Sequence, residues 1–367
     1  MKLVFNQTDL MNSVNIVMKA IPGKTTMPIL QCIMIDASRS RILFTGNDME
    51  LGIETEVKGT IIESGKIALD AKILSDIVRK LPNNEVTIVT DDKYTATITC
   101  EKAKFVIPGK SGEDFAYLPT IETRASVTIS QFSLKELIRQ TIFSIAVNEN
   151  NKLMTGELFE IKNNVLRVVS LDGHRIAIRN LELKDSCPDL KVVVPGKTLS
   201  EISKIISGEG SELVTINFSS NYILFEFDQT VVLSRLIEGE YFQIDQMLSS
   251  DYDTKIELNR QEFISCIDRA TLLVRESDKM PVIMDITDNG MNIQITTPLG
   301  SMNESMGVIK TGKDIVIGFN PRLLLDALRV IDDESVTLYF VNAKAPCFIR
   351  DDKNTYIYLI LPVNISR

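Results

Sequence analysis

One short phrase occurs three times in this chain and sets its period. An extended apolar run leads into Asn or Ser, an acidic or hydroxyl residue follows three positions later, and an amphipathic helix begins. The copies occupy residues 2–10, 127–134 and 255–263. Asn6, Ser130 and Asn259 read as helix N-caps, with Asp9 and Glu262 completing something close to a capping box. Phe5 and Ile129 stand 124 positions apart, and Ile129 and Leu258 stand 129 apart. A period of that length is one small domain, so the 367 residues are expected to form three units, 1–122, 123–250 and 251–367.

Within each third the pattern repeats at a finer level. The first helix is expected over about Thr8 to Ala20, with Leu10, Val14, Val17 and Ile21 at helical spacing and Pro22-Gly23 as its stop. Strand-like segments follow at Leu30–Ala37, Ile42–Asn47 and Leu51–Val57. A strand leading into a second helix then appears at residues 67–77, 192–202 and 315–326, followed each time by period-two alternation such as Val214-Thr215-Ile216-Asn217-Phe218. Such alternation marks half-buried antiparallel strands. The expected fold class is α+β with a predominantly antiparallel sheet, each third being itself a doubled unit. Linkers are expected near Leu118–Ser126 and Met247–Thr254.

Composition narrows the function classes. The formal charge of -9 opposes binding to nucleic acid by bulk attraction, but not through a basic surface concentrated in one place. The five cysteines are scattered and never spaced C-x-x-C, which speaks for reduced thiols and against a disulfide framework or zinc site. The start of the chain turns polar at Asn6, too early for a signal peptide, and no apolar run is long enough to span a bilayer; a cytoplasmic protein without membrane contact is expected.

The second-type helices share basic residues in one register. Lys72 and Arg79, Lys197 and Lys204, and Arg322 and Arg329 are each seven residues apart, close to two helical turns, so each pair lies on one face. One such pair is an ordinary solvated face. Three in the same register suggest a surface for a duplex backbone, to which Lys135, Arg139 and Lys24 can be added.

Other motifs fail on spacing. Gly23-Lys24-Thr25 and Gly196-Lys197-Thr198 resemble the end of a P-loop, but Met18 and Lys191 stand where the leading glycine is required. His174 is the only histidine. A hydrolase would pair it with Asp172 and use Ser170 as nucleophile, yet no nucleophile elbow is present. No set of metal ligands is visible, and no cofactor is expected.

The stretch Ser170-Leu171-Asp172-Gly173-His174-Arg175-Ile176-Ala177 resembles the signature of the bacterial sliding clamp family, the β subunit of the replicative DNA polymerase III holoenzyme. Met27-Pro28-Ile29-Leu30, Arg235-Leu236-Ile237-Glu238-Gly239-Glu240-Tyr241 and Leu359-Ile360-Leu361-Pro362-Val363 agree with it, and the resemblance spans the whole chain. It implies three domains of the DNA-clamp type and a head-to-tail homodimer closed into a ring, with helices lining the hole and antiparallel sheets outside. Lys24, Lys72, Arg79, Lys135, Arg139, Lys197, Lys204, Arg322 and Arg329 would then face double-stranded DNA.

The resemblance also implies an apolar pocket for linear motifs of partner proteins, at Leu171, His174, Ile176, Phe242, Gln246, Met247, Pro346, Leu359, Leu361 and Val363. Leu171, Phe242 and Gln246 replace the family's usual Thr, Pro and Arg, which bears on peptide preference. Implied partners are the DNA polymerase III alpha subunit, an ATP-driven clamp loader, and other replication and repair proteins. The implied role is non-catalytic: tethering the polymerase to confer processivity. Two alternatives stand beside it, a small hydrolase around Asp172 and His174 and a repeat-built scaffold that works without DNA.

Overall fold

A computed structural model describes residues 1–147, 150–249, 251–274 and 280–365. Among them lie the helices α1 (Gln7–Val17), α2 (Ala71–Lys80), α3 (Gln131–Arg139), α4 (Gly196–Ile205), α5 (Arg260–Thr271) and α6 (Pro321–Arg329). No helix among the described residues is long and apolar enough to cross a membrane.

The helix starts follow from their caps. Asn6 Oδ1 accepts from the Thr8 N–H at 2.9 Å, Ser130 Oγ from Ser133 N–H at 3.0 Å, and Asn259 Oδ1 from Glu262 N–H at 2.9 Å. Asp70 and Asn320 do the same for α2 and α6. Each cap satisfies an otherwise orphaned donor and stabilises its helix by about 1 kcal/mol. Asn6 reaches the second helical residue rather than Asp9, so the first cap is not a capping box.

The repeat also fixes how helices pair. The first residues of α1, α3 and α5 each reach beyond their own helix: Gln7 Nε2 donates to the Val78 carbonyl of α2 at 2.8 Å, and Arg260 Nε to the Asp333 carbonyl beyond α6 at 2.8 Å. Gln131 accepts from the Ser207 N–H, just past α4, at 2.9 Å.

The strands at Ile42–Asn47 and Leu51–Val57 have the expected bounds. The segment expected as a strand from Leu30 instead opens with a 3-10 turn, Pro28–Gln31, before the strand Cys32–Asp36. Pro28 fixes φ and lacks a donor, which suits a first turn and not a sheet ladder. Beyond α1, Met18–Ala20 tightens into 3-10 geometry before the Pro22 stop.

The chain divides into two compact units, residues 1–134 with 201–236, and residues 135–200 with 237–367. The first holds a 13-stranded antiparallel sheet and the second holds sheets of nine and four strands. The reason lies in register. In the first unit Thr230–Ser234 pairs with Leu51–Thr55, so strands of the middle third continue the sheet of the first third. In the second unit Arg175–Arg179 pairs with Tyr356–Ile360, joining the rest of the middle third to the last. Strand edges left by one repeat are thus satisfied by the next, the alternative being rows of unpaired N–H and C=O groups. Ser250, at the expected border of the middle and last thirds, lies outside the described residues.

The core of the second unit contains a charge anomaly. Glu157 is fully buried, its Oε2 lies 3.0 Å from the Thr141 hydroxyl, and its Oε1 has no partner among the described residues. Burial raises its pKa well above the ordinary carboxylate range, partly opposed by the Thr141 hydrogen bond. Below that ordinary range both folded and unfolded chains hold the proton, and the stability is fully present. As pH rises, the unfolded chain releases the proton before the folded one, so stability falls until the raised folded pKa is reached. Glu157→Gln is expected to flatten this profile. From about pH 5 upward the native chain should lose more unfolding free energy than the variant, measured by urea denaturation. Parallel profiles would mean that Glu157 is ionised in the fold.

Candidate functional site

The second-type helices follow directly on strands and bury one face. Leu74, Ile77 and Val78 of α2, Leu199 and Ile202 of α4, and Leu324, Leu325 and Leu328 of α6 are in the core. Helical periodicity then sends the basic pairs outward: Lys72, Arg79, Lys197, Lys204, Arg322 and Arg329 are all exposed.

The second members share a feature. The second is tied to a carboxylate each time: Arg79 to Asp76, Lys204 to Glu201 at 2.8 Å, and Arg329 to Asp268 of α5 at 2.8 Å. Lys72 and Arg322, at the first position, make no ion pair among the described residues. Exposed ion pairs stabilise by about 0–1 kcal/mol, so they hold the second-position side chains only loosely.

Lys24 is exposed in the irregular segment after α1, and Lys135 on α3 is half-buried. Arg139 is different. Its Nε donates to Glu136 Oε1 at 2.8 Å and its guanidinium also pairs with Asp332, so two carboxylates match its charge. It braces α3 more than it offers charge to a ligand.

In the second unit, eight of the ten residues expected at a pocket surround one cavity of about 440 Å³. Leu171, Ile176 and Leu359 form buried walls, and Ile176 and Leu359 face each other across the strand pair. Phe242, Pro346 and His174 add to the lining, while Met247 and Leu361, 46% and 38% exposed, make its rim. Phe242 is held by an edge-to-face contact with Tyr241 at 5.5 Å, and the Tyr241 hydroxyl donates to the Val169 carbonyl.

The turn that presents His174 is built by its neighbours. Asp172 Oδ1 accepts from the His174 and Arg175 N–H groups at 3.0 and 3.1 Å, and Gly173 takes φ +83. Glycine meets that left-handed geometry without the penalty of a side chain. The Arg175 guanidinium bonds Asp172 Oδ2 at 2.9 Å and Asp326 Oδ2 at 2.6 Å, and lies 5.2 Å from the centre of the Phe143 ring. The Leu361 N–H donates to the His174 carbonyl at 2.9 Å, fixing the C-terminal strand beside the turn.

Two expected pocket residues lie off the cavity. Gln246 is exposed on the 3-10 turn Ile244–Met247, whose next residue, Met247, reaches the cavity instead. The Val363 N–H donates to the Gly318 carbonyl at 2.8 Å, which anchors the tail beyond the cavity. Met154, Gly173 and Arg175 line it as well and were not among the expected pocket residues. Gly173 and Arg175 belong to the same phrase as His174 and so had a signal. Met154 comes from a separate 3-10 turn, Lys152–Thr155, and had none.

The arrangement does not suit hydrolysis. Ser170 is fully buried and its hydroxyl donates to the Thr141 carbonyl at 2.5 Å, while the Asp172 carboxylate serves Arg175 and the turn. Among the described residues no group of His, Cys, Asp and Glu could hold a metal ion. All five cysteines are free and buried. What remains is an apolar cavity with a rim of flexible side chains, suited to a hydrophobic side chain of a ligand, and three basic helix faces.

Comparison with known proteins gives a consistent picture. Models of the N-terminal, central and C-terminal domains of the DNA polymerase III beta subunit match residues 1–119, 128–243 and 245–364. The chain is 32% identical over 374 aligned positions to the beta sliding clamp of Staphylococcus epidermidis, covering 99% of each. A crystal structure of a DNA polymerase III beta subunit from Eubacterium rectale is 63% identical, with TM-score 0.96 and all of both chains covered. The DNA polymerase sliding clamp of Bacillus subtilis is 33% identical, with TM-score 0.96 over the full length of both.

Proposed function

Because the chain belongs to the family of DNA polymerase III β subunits, the sliding clamps, we propose that it works as a head-to-tail homodimer closed around double-stranded DNA. Membership of the family makes it a DNA sliding clamp that confers processivity on the polymerase and has no catalytic activity of its own.

The observation that carries the DNA reading is the basic register of α2, α4 and α6 in a chain of net charge -9. Lys72, Arg79, Lys197, Lys204, Arg322 and Arg329 are the phosphate contacts, with Lys24 and Lys135 beside them. Encirclement needs no sequence readout, so weak contacts to the backbone are sufficient.

Exposed strand edges support closure between copies. Strand Ala103–Ser111 of the first unit pairs on one side with Thr95–Cys100, while its other side pairs only from Gly109 onward. Phe105 and Val106 on it are 38% and 59% exposed. In the second unit Gly300–Met306 is a sheet edge, with Leu272 and Leu299 exposed in the same unit. An apolar open edge is a template for pairing with another chain, and heterologous contacts can close into a ring. The three domains of such a protomer are 1–122, 123–250 and 251–367.

The cavity of the second unit is the docking pocket for linear motifs, with Leu171, His174, Ile176, Phe242, Met247, Pro346, Leu359 and Leu361 as its working surface. The DNA polymerase III alpha subunit, the clamp loader and other replication and repair proteins are the partners, in the cytoplasm. The test is topological: protein loaded on a DNA circle stays bound, and leaves once the circle is cut.

A further inference from the structure

The cavity of the second unit has a counterpart in the first, built from the same residues of the repeat. Asn47-Asp48-Met49-Glu50-Leu51 stands 124 positions before Leu171-Asp172-Gly173-His174-Arg175. Asp48 Oδ1 accepts from the Glu50 and Leu51 N–H groups at 3.0 and 2.7 Å, the same turn that Asp172 makes. Met49 takes φ +76 where Gly173 takes +83. The Arg235 N–H donates to the Glu50 carbonyl at 2.8 Å, as Leu361 does to His174. Leu233 faces Gly52 across its strand pair as Leu359 faces Ile176. Around these residues is a cavity of about 280 Å³.

The copy differs from the larger pocket at several lining positions, Asn47 standing for Leu171 among them. Gly52 replaces Ile176, and Leu118 from the segment after Phe115 lies over it, so close that a Cβ on Gly52 would fall 2.0 Å from Leu118 Cδ2. The cavity is therefore narrower, and Leu118 and Leu233 give it an aliphatic part beside Asn47, Tyr117 and Tyr222. At the mouth Glu50 replaces His174, is exposed, and makes no ion pair among the described residues. Met49, 55% exposed, supplies a flexible rim, and holds a left-handed conformation that glycine would adopt with less strain.

We propose that this cavity is a second peptide-docking site, taking a short extended segment that gives one aliphatic side chain to the cavity and a Lys or Arg to Glu50. The occupant class rests on the reading of the larger cavity as a peptide pocket. The charge preference rests on Glu50 alone, and separates the two sites: a segment with a cation beside its aliphatic anchor favours the first unit.

Methionine methyl groups report on the two cavities separately, Met49 on this one and Met154 and Met247 on the larger. The full-length protein, labelled with carbon-13 at its methionine methyls and assigned with Met49→Leu, would be titrated with acetyl-Lys-Leu-Leu-amide and acetyl-Glu-Leu-Leu-amide. The expected result is a saturable Met49 shift at roughly threefold to tenfold lower concentration of the Lys peptide, a preference lost in Glu50→Lys. A Met49 signal that stays fixed, or responds equally to both peptides and ignores Glu50→Lys, overturns the second site. Met154 and Met247 signals that stay fixed while Met49 moves would count against the larger pocket and leave this one standing.

Discussion

Replacing Met247 and Leu361 together by alanine is expected to weaken binding of a polymerase alpha-subunit peptide by about 10- to 70-fold, with little loss of fold stability. Both side chains line the cavity and both are partly exposed, 46% and 38%. Full burial of a Met or Leu side chain stabilises by about 1.5–3 kcal/mol, so covering the exposed part of each by a ligand contributes about 0.6–1.4 kcal/mol. The same exposure means that the empty protein depends little on them. Leu171→Ala would be a poorer choice, because Leu171 is only 4% exposed and its loss from the core costs about 2–5 kcal/mol of stability whatever binds. Fluorescence anisotropy with the labelled peptide gives the affinity, and thermal unfolding gives the control. Unchanged affinity in the folded double variant would remove this rim from the docking surface.

Charge reversal at Lys72, Lys197 and Arg322 is expected to have the largest effect on DNA. Each phosphate that a side chain no longer neutralises lowers the log–log dependence of affinity on salt by about 0.9, so the triple Glu variant should show a slope smaller by about 3 per chain. It should also bind more weakly at every salt concentration, with no change in preference among sequences, because binding to phosphate carries no sequence information. Charge reversal at Arg79, Lys204 and Arg329, each tied to a carboxylate, should lower the slope as well, because exposed ion pairs hold these side chains only loosely. Fold stability should be nearly untouched, as substitutions on exposed helix faces usually shift it by about 0.5 kcal/mol or less. An unaltered slope in the reversed variant would place these helix faces against ordinary solvent.

Much of the fold was legible because its signals are local. Asn6, Ser130 and Asn259 start helices where the sequence places them, since a cap is a bond between residues two or three apart. Turn residues on either side gave the strands Ile42–Asn47 and Leu51–Val57 their bounds for the same reason. The division into two compact units was not legible, because it depends on Leu51–Thr55 finding Thr230–Ser234, and no local pattern encodes that pairing. At the pocket, the walls carried by strands came from the family resemblance of residues 170–177 and of the C-terminal run 359–363. Met154 arrives from an irregular turn without periodicity, and Gln246 and Val363 miss the cavity because a 3-10 turn and a backbone bond to Gly318 direct them elsewhere. The buried Glu157 was likewise hidden, since a carboxylate in a strand is ordinarily solvated.

Glycine and methionine at one turn position show what the repeat retains and what it varies. Gly173 and Met49 hold nearly the same φ, and the same Asx turn precedes each, so backbone geometry is kept across the copies. The residue that follows is His174 in one copy and Glu50 in the other, which changes the charge at the cavity mouth while leaving the scaffold alone.

The most direct measurement is retention on DNA after the topology is changed. The protein, placed on a nicked circular plasmid by its clamp loader, would be freed of unbound chains by gel filtration and the plasmid then cut once with a restriction enzyme. A clamp that encircles the duplex stays with the circle through a wash at high salt, because Debye screening weakens phosphate contacts but does not open a ring, and is lost from the linear product by sliding off its ends. Equal retention on circular and linear DNA, or loss from both in high salt, would contradict encirclement and leave only electrostatic association.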